Sequence, residues 1–288
     1  MTQHAIYADA LTYQYGPLTA VNGISFHVGE GEILGFLGPN GAGKSTTVKM
    51  LTGQLRPKSG MAKLLGMDVS TMSDKVQAQI GICFEHTNLY ESMTAAENLT
   101  LFADLFGVKS FDAMALLRRV GLAGRENDRV AGYSKGMKQR LMVARSLVNK
   151  PRILFLDEPT DGLDPVSSET IRNIILEERA QGTTVFLTTH DMLEADKLSD
   201  RVAFINKGEI VALDTPHALK QQYGKRAIKA EVVGENGRLH TREIVLDQVE
   251  TVTAVQELFA TEKVVTIHSE EATLEDIFID ITGRGLTG

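Results

Sequence analysis

The apolar positions of the chain form two patterns that alternate along the sequence. Short apolar or alternating runs predict strands, and apolar positions spaced three or four residues apart predict helices. The predicted strands lie at about 5–14, 21–28, 32–37, 79–84, 152–157, 183–188 and 200–206. The predicted helices begin at about 46, 94, 111, 136, 165 and 191. Apolar strands that alternate with helices predict an α/β fold with a parallel sheet covered on both faces, and the first strands predict an antiparallel patch.

Two regions depart from this alternation. The segment 94–149 shows helix after helix, which predicts a helical lobe inserted into the α/β core. Residues 226–288 predict a small α+β domain, whose elements are two strands within 226–246 about a turn at 234–237, a helix at 250–261, a strand at 263–268 and a helix at 272–282. We therefore expect a first domain at 1–225 and an accessory domain at 226–288.

Composition and charge narrow the class of protein. The 288 residues are 43% hydrophobic and 23% charged, which is typical of a folded globular protein. The chain shows neither a membrane-helix run nor a signal-peptide pattern, so we expect a cytoplasmic protein. The only cysteine, Cys83, lies in an apolar run and is interpreted as a buried side chain. Most of the formal charge of −7 comes from 226–288, which argues against nucleic acid as a partner.

A glycine-rich segment follows the predicted strand at 32–37 and precedes a predicted helix. It fits the pattern G-x-x-x-x-G-K-[ST], which in this context is typical of a loop that binds phosphate through backbone N–H groups. We expect Lys44 to reach the terminal phosphates of a nucleotide and Ser45 to be a magnesium ligand. The segment is called the phosphate loop below and consists of Gly38, Pro39, Asn40, Gly41, Ala42, Gly43, Lys44, Ser45 and Thr46.

Two carboxylates end the apolar run 153–156. At the carboxyl edge of a parallel sheet they would lie beside the phosphate loop. Asp157 is then expected to hold magnesium directly or through water, and Glu158 to orient or deprotonate the attacking water. Acidic pairs at strand ends are commonly just solvated, so this interpretation depends on the phosphate loop.

A third segment, 133–139, opens the predicted helix that leads to the acidic strand. Ser134 is placed as the helix cap, and Gly136 leaves backbone N–H groups available for an oxyanion. Taken alone, this segment would be interpreted only as a capped helix.

Together, these three segments make residues 3–223 resemble the nucleotide-binding subunit of an ATP-binding cassette (ABC) transporter. The phosphate loop resembles the Walker A motif, 153–158 resembles the Walker B motif, and 133–139, called the signature segment below, resembles the ABC signature. The resemblance implies a P-loop NTPase fold that hydrolyses ATP with Mg²⁺. It also places Tyr15 on the adenine, Asp164 in the D-loop and His190 as the switch histidine.

The same resemblance implies partners. Two copies of the chain would pair head to tail around two ATP molecules, and each copy would offer Ser134, Lys135, Gly136 and Gln139 to the ATP of the other. An integral membrane subunit would carry the substrate, and the ATPase would lie on the inner face of the cell membrane. The helical lobe after 94 is where this subunit is expected to dock.

Two residues depart from the family pattern. Glu85 occupies the usual glutamine position of the Q-loop, where it is either a working magnesium ligand or a degenerate sensor. Lys135 replaces a signature glycine and adds a cation. The end of the chain, 272–284, resembles the tail of cassettes that serve type-2 exporters. Export is therefore expected, and the alternatives are an importer ATPase or an ABC ATPase with no transport role.

Overall fold

The structure, a computed structural model, describes residues 4–71, 74–224, 227–233, 238–246, 251–270 and 272–283. The contacts within it divide the chain into two compact units, Met1–Thr215 and Pro216–Leu286. None of the helices in the described ranges is both long and apolar enough to cross a lipid bilayer.

The first unit contains ten strands and seven α-helices within its described residues. The strands are β1 (His4–Tyr15), β2 (Leu18–Gly29), β3 (Ile33–Leu37), β4 (Ser59–Leu64), β5 (Met67–Asp68), β6 (Ile80–Cys83), β7 (Ile153–Asp157), β8 (Thr184–Thr189), β9 (Arg201–Asn206) and β10 (Glu209–Asp214). The helices are α1 (Lys44–Leu51), α2 (Asp74–Gln77), α3 (Ala95–Leu105), α4 (Ala113–Arg119), α5 (Lys135–Ser146), α6 (Pro165–Ala180) and α7 (Met192–Leu198).

A six-stranded sheet forms the centre of this unit, in the order β10-β9-β3-β8-β7-β6. Strand β10 pairs antiparallel with β9 at one edge, and every other pair is parallel. Strands β3, β7 and β8 are buried at every position because the sheet is covered on both faces. The predicted α/β class and parallel sheet are confirmed.

A second, antiparallel sheet has the order β2-β1-β4-β5, which confirms the patch predicted from the first strands. Strands β4, β5 and β10 were not predicted, since most of their residues are exposed or only half-buried and their apolar alternation is weak. Gly60 lets β4 approach β1 closely, because a Cβ atom there would lie 2.2 Å from the Ala10 carbonyl oxygen.

Two apolar clusters fill the first unit, and alternate residues of the central strands contribute to each. On β7, Phe155 joins the cluster that includes β1 and β2, whereas Leu154 and Leu156 join the cluster formed with α3, α5 and α6. Phe186 packs against Phe155, with ring centroids 5.8 Å apart. This two-residue period is what a sheet covered on both faces requires.

Side-chain caps fix where the helices begin. Thr94 and Glu97 form a capping box at α3, and the Ser134 hydroxyl accepts a hydrogen bond from the Met137 N–H at α5. Asp164 caps α6, which has Pro165 in its first turn. Three of these helices, α3, α4 and α5, lie within the predicted helical lobe at 94–149.

The second unit contains β11 (Ala227–Val233), β12 (Leu239–Val245), β13 (Lys263–Glu270), α8 (Pro216–Tyr223), α9 (Thr251–Thr261) and α10 (Leu274–Thr282). Its antiparallel sheet has the order β12-β11-β13, and the predicted turn at 234–237 lies outside the described residues. Helix α8 contacts α10, so the division between the units precedes residue 216, not 226 as the sequence suggested.

Candidate functional site

The phosphate loop connects β3 to α1 and is shaped by close backbone contacts. A Cβ atom at Gly38 would lie 2.2 Å from the Ile205 carbonyl oxygen, and one at Gly43 would lie 2.6 Å from the Ala20 carbonyl oxygen. Gly43 also has a φ of 113°, a left-handed conformation at the helix cap that disfavours other residues. Packing alone therefore requires glycine at positions 38 and 43.

Lys44, the first residue of α1, is folded back over the loop. Its ammonium donates a hydrogen bond to the Gly38 carbonyl oxygen at 2.6 Å and lies 3.0 Å from Glu158 Oε1. The two charged side chains are only 6% and 8% exposed. Because a buried charge needs a partner of opposite sign, this pair fixes both side chains at the loop.

Asp157 ends β7 beside the phosphate loop. The Ser45 hydroxyl donates to Asp157 Oδ1 at 3.3 Å, and the Thr188 hydroxyl donates to the same oxygen. Burial raises the pKa of Asp157, and the two hydroxyl hydrogen bonds oppose that shift. The sequence placed Ser45 and Asp157 together, and the structure brings them into contact.

These two oxygen groups suit magnesium, which binds through one or two protein oxygens while phosphates and water supply the rest. Within the described part of the chain, no group of three or more His, Cys, Asp or Glu side chains gathers to hold a metal alone. A magnesium ion at Ser45 and Asp157 would take its remaining ligands from water or from the phosphates of a nucleotide.

Glu158 adopts a backbone conformation that is rare for a residue other than glycine, with a φ of 49°. Its N–H donates to the Thr188 carbonyl oxygen at 3.1 Å, so β8 holds the turn. Its Oε2 lies 2.9 Å from His190 Nδ1 and accepts the His190 backbone N–H at 3.3 Å. The carboxylate thus lies between Lys44 and His190, and strain of this kind is typical of functional positions.

Most of the residues predicted to bind the nucleotide line a cavity of about 340 Å³. It is lined by Tyr15, Leu18, Ala20, Pro39, Asn40, Gly41, Gly43, Lys44, Ser45, Thr46, Glu85 and Glu158. Gly38 and Ala42 shape the loop behind it, since the Ala42 N–H donates to the Pro39 carbonyl oxygen. Tyr15 is half exposed, and its ring meets Tyr13 edge to face at 4.9 Å.

Known proteins resemble this chain over nearly its whole length. Residues 21–161 match the ABC transporter family. The fluoroquinolones export ATP-binding protein of Mycobacterium tuberculosis is 47% identical over 279 residues, which cover 96% of this chain and 93% of that protein. The daunorubicin resistance ATP-binding protein DrrA2 of Streptomyces coeruleorubidus is 36% identical over 311 residues, covering 99% and 97%. The chain belongs to the ABC transporter family.

A solved ABC structure agrees with this assignment. A dimeric ATP-binding cassette in a post-hydrolysis state, bound to ADP and Pi, superposes with a TM-score of 0.67 at 25% identity and covers 73% of this chain and 98% of its own. The predictions of an ABC cassette fold and of an ATP-hydrolysing enzyme are confirmed. ATP is accordingly the nucleotide of this cassette.

The signature segment of the cassette is exposed at Ser134 and Lys135, half-buried at Met137 and Lys138, and buried at Tyr133, Gly136 and Gln139. A Cβ atom at Gly136 would lie 2.7 Å from the Ser167 hydroxyl, so this glycine packs against α6. Asp164 caps α6, because its Oδ1 accepts a hydrogen bond from the Ser167 N–H at 2.9 Å. Hydrogen bonds from Ser167 lower the pKa of the Asp164 carboxyl.

Gln139 contacts the sheet of its own chain. Its side chain is buried, and Nε2 lies 3.7 Å from Cys83 Sγ on β6. Its assignment to the nucleotide of a second copy, which the resemblance implied, stays a prediction. Cys83 is buried as predicted, and burial raises the pKa of its thiol to about 12.

Beside the Q-loop, a cleft of about 500 Å³ separates β6 from α3. Aromatic side chains of Phe84, Tyr90 and Phe102 line it, together with Arg145. The buried Arg145 guanidinium donates to the Asn88 carbonyl oxygen at 2.7 Å and lies 4.6 Å from the Phe102 ring centroid. The sequence analysis did not single out these cleft residues, although Phe102 and Arg145 belong to the helical lobe where it expected a membrane subunit to dock.

Proposed function

We propose that this chain is the ATP-hydrolysing subunit of an exporter of drug-like compounds and works as a homodimer with a separate membrane-spanning subunit. The observation that carries the proposal is that Glu158, at the cavity of the phosphate loop, contacts both Lys44 and His190. The names of the relatives, which refer to fluoroquinolones export and daunorubicin resistance, support the substrate class.

In the proposed mechanism, Tyr15 stacks on the adenine and the phosphate loop binds the phosphates. Phosphate oxygens compete with Glu158 for the Lys44 ammonium, which frees the carboxylate to accept a proton from the attacking water. His190 orients that carboxylate through Nδ1. Magnesium held at Ser45 and Asp157 would neutralise part of the phosphate charge, and Glu85 adds a further carboxylate at this cavity.

The exposure of Ser134 and Lys135 supports the homodimer, because exposed side chains of one copy can meet the nucleotide that is bound by the other. In the pair, these residues and the Gly136 backbone reach the terminal phosphate bound by the other copy. ATP binding closes the pair and hydrolysis reopens it, which gives the membrane subunit two states to follow.

The membrane subunit is proposed to dock in the cleft between β6 and α3. The aromatic lining of the cleft, which includes Arg145, would bury an apolar segment of the membrane subunit. Glu85, which follows Phe84 of the cleft, lines the nucleotide cavity and would connect the docked segment to that cavity. Docking there would hold the ATPase on the inner face of the membrane. Export is favoured over import because the similarity to export proteins covers the second unit as well as the cassette.

The substitution Glu158→Gln tests the catalytic assignment. It keeps the side-chain shape and removes the base, so kcat should fall about 10²–10⁴-fold while ATP still binds. The variant should accumulate as an ATP-bound dimer in gel filtration. The exposed Glu169 on α6 offers a matched control, and Glu169→Gln should hydrolyse ATP at the normal rate. Normal turnover in Glu158→Gln would contradict the proposal.

The direction of transport is measured on the complex of this chain with its membrane subunit. In reconstituted vesicles, a fluorescent fluoroquinolone should move away from the face that carries the ATPase when ATP is added to that face. Movement towards that face would indicate an importer, and ATP hydrolysis without transport would indicate an ABC ATPase of another class.

A further inference from the structure

Lys135, which stands where the family usually has glycine, contacts its own chain. Its ammonium lies 3.7 Å from Asp161 Oδ2, and the two side chains are 64% and 50% exposed. Gly162 lies directly beneath it, because a Cβ atom there would be 2.4 Å from Lys135 Nζ. The cation of the signature segment is thus placed against the turn that follows the catalytic carboxylate.

Asp161 also approaches the switch histidine on its other side. Its Oδ1 lies 3.8 Å from His190 Nε2, while His190 Nδ1 contacts Glu158 Oε2 at 2.9 Å. One carboxylate therefore lies between the side chain offered to the other copy's ATP and the side chain that orients the chain's own catalytic base.

We propose that Asp161 and Lys135 are positioning residues that couple the two ATP sites of the dimer. The inference rests on the proposed function, because only a head-to-tail dimer brings Lys135 to a second ATP. When phosphate draws Lys135 away, Asp161 is left to His190 and fixes the imidazole against Glu158. Occupation of one site thereby prepares hydrolysis in the other.

The exposure of the pair suits such an exchange. An exposed ion pair contributes little free energy, so the phosphate of a bound nucleotide can replace Asp161 as the partner of Lys135. The surrounding backbone stays in place, because Gly136 packs on Ser167 and Asp164 caps α6. Only the side chains of Lys135, Asp161 and His190 need to move.

The test compares Lys135→Gln, Asp161→Asn and the double variant with the unaltered chain. ATP hydrolysis is measured against ATP concentration to give kcat, KM and the Hill coefficient. The unaltered dimer should give a Hill coefficient above one. Each single variant should bring the Hill coefficient close to one. Asp161→Asn should also lower kcat about three- to tenfold, whereas Lys135→Gln, which leaves Asp161 to His190, should keep kcat. The double variant should match Asp161→Asn, because Lys135 acts only through Asp161.

The ion pair of Arg125 and Asp128 is a matched control. Arg125 Nε lies 2.7 Å from Asp128 Oδ2, and the two side chains are 51% and 50% exposed. Arg125→Gln and Asp128→Asn should leave the Hill coefficient and kcat unchanged. Thermal unfolding and ATP affinity of the isolated monomer should be unaltered in all variants, which separates positioning from loss of structure.

A kcat of the double variant below that of Asp161→Asn, or Hill coefficients equal to that of the unaltered chain, would overturn the inference. So would a Hill coefficient of one in an unaltered chain that hydrolyses ATP and forms dimers. If the unaltered chain neither hydrolyses ATP nor dimerises, the proposed function itself fails, and this result is distinct from the others.

Discussion

Strands β7 and β11 both lie inside their sheets, yet their surroundings differ. All five residues of β7 are buried, whereas three of the seven residues of β11 are buried. The strand β7 delivers Asp157 to a site where several charged groups are out of solvent. Around β11 an ion pair keeps one accessible member, as in the contact of Arg242, which is 61% exposed, with Glu262, which is 16% exposed.

This difference explains where chemistry can be localised. Buried charges are tolerated only with nearby partners, so the first unit holds Lys44 and Glu158 in a fixed geometry. The second unit has a small core of Ala230, Val232 and Leu258 and no comparable buried pair among its described residues. We therefore expect damage to the first unit to affect ATP hydrolysis far more than damage to the second.

Substitutions in the two cores provide the largest expected contrast. Phe186→Ala removes a ring packed among three other aromatic rings and should destabilise the first unit by about 3–5 kcal/mol. Leu258→Ala should cost the second unit about 2–3 kcal/mol, near the low end for such a change. Hydrogen exchange resolved by segment should show each loss in its own unit, with ATP hydrolysis retained only in Leu258→Ala. Equal loss of protection throughout the chain in either variant would contradict the contrast.

A smaller effect is expected at Glu194, a carboxyl that is 3% exposed on α7. It accepts a hydrogen bond from Thr160 at 2.6 Å, yet burial raises its pKa above the ordinary 4.5. A raised pKa means that the folded state loses stability as the pH rises through that value, because the carboxyl must ionise while buried. Glu194→Gln stays neutral, so above the raised pKa it should be more stable than the unaltered chain.

The comparison at several pH values distinguishes this explanation from a general packing effect. In urea unfolding, the advantage of Glu194→Gln should narrow as the pH falls towards 4.5. A constant difference from pH 8 down to pH 4.5 would show that ionisation of Glu194 is not the cause.

The smallest effect is expected for an ion pair of the second unit in which one member is exposed and the other half-buried. Arg242 Nε lies 2.7 Å from Glu262 Oε1, and Arg242 is well exposed. Arg242→Gln should change the free energy of unfolding by less than about 1 kcal/mol, and the difference should vanish in high salt. A loss of several kcal/mol would mean that the second unit depends on its charge pairs as the first does.

The same contrast governs how much the sequence could predict. Strands β3, β7 and β8 were placed within about one residue, because strands buried on both faces consist of apolar runs. Strands β4 and β10 were missed, since they mix exposed and half-buried positions. Residues 216–223, which form α8, were placed in the first domain, because their packing on α10 joins segments about fifty residues apart.

Within the site, the phosphate loop and the acidic pair were predictable because each is a continuous segment with its own backbone chemistry. The contact of Lys135 with Asp161 and that of Gln139 with Cys83 were not. Each joins segments distant in the sequence, and neither residue type alone indicates its partner. Leu18 was missed for the same reason, since it reaches the cavity only through the pairing of β2 with β1.

The burial of Cys83 makes the chain a ready platform for site-specific labelling. With a pKa of about 12, this lone thiol carries almost no thiolate near neutral pH and is shielded from reagents. A cysteine introduced at an exposed position away from the nucleotide cavity, such as Val252, would therefore take up a spin label or fluorophore alone, without removal of a native residue. Distances between labels on two copies could then follow the closing and opening of the proposed dimer through successive rounds of ATP hydrolysis.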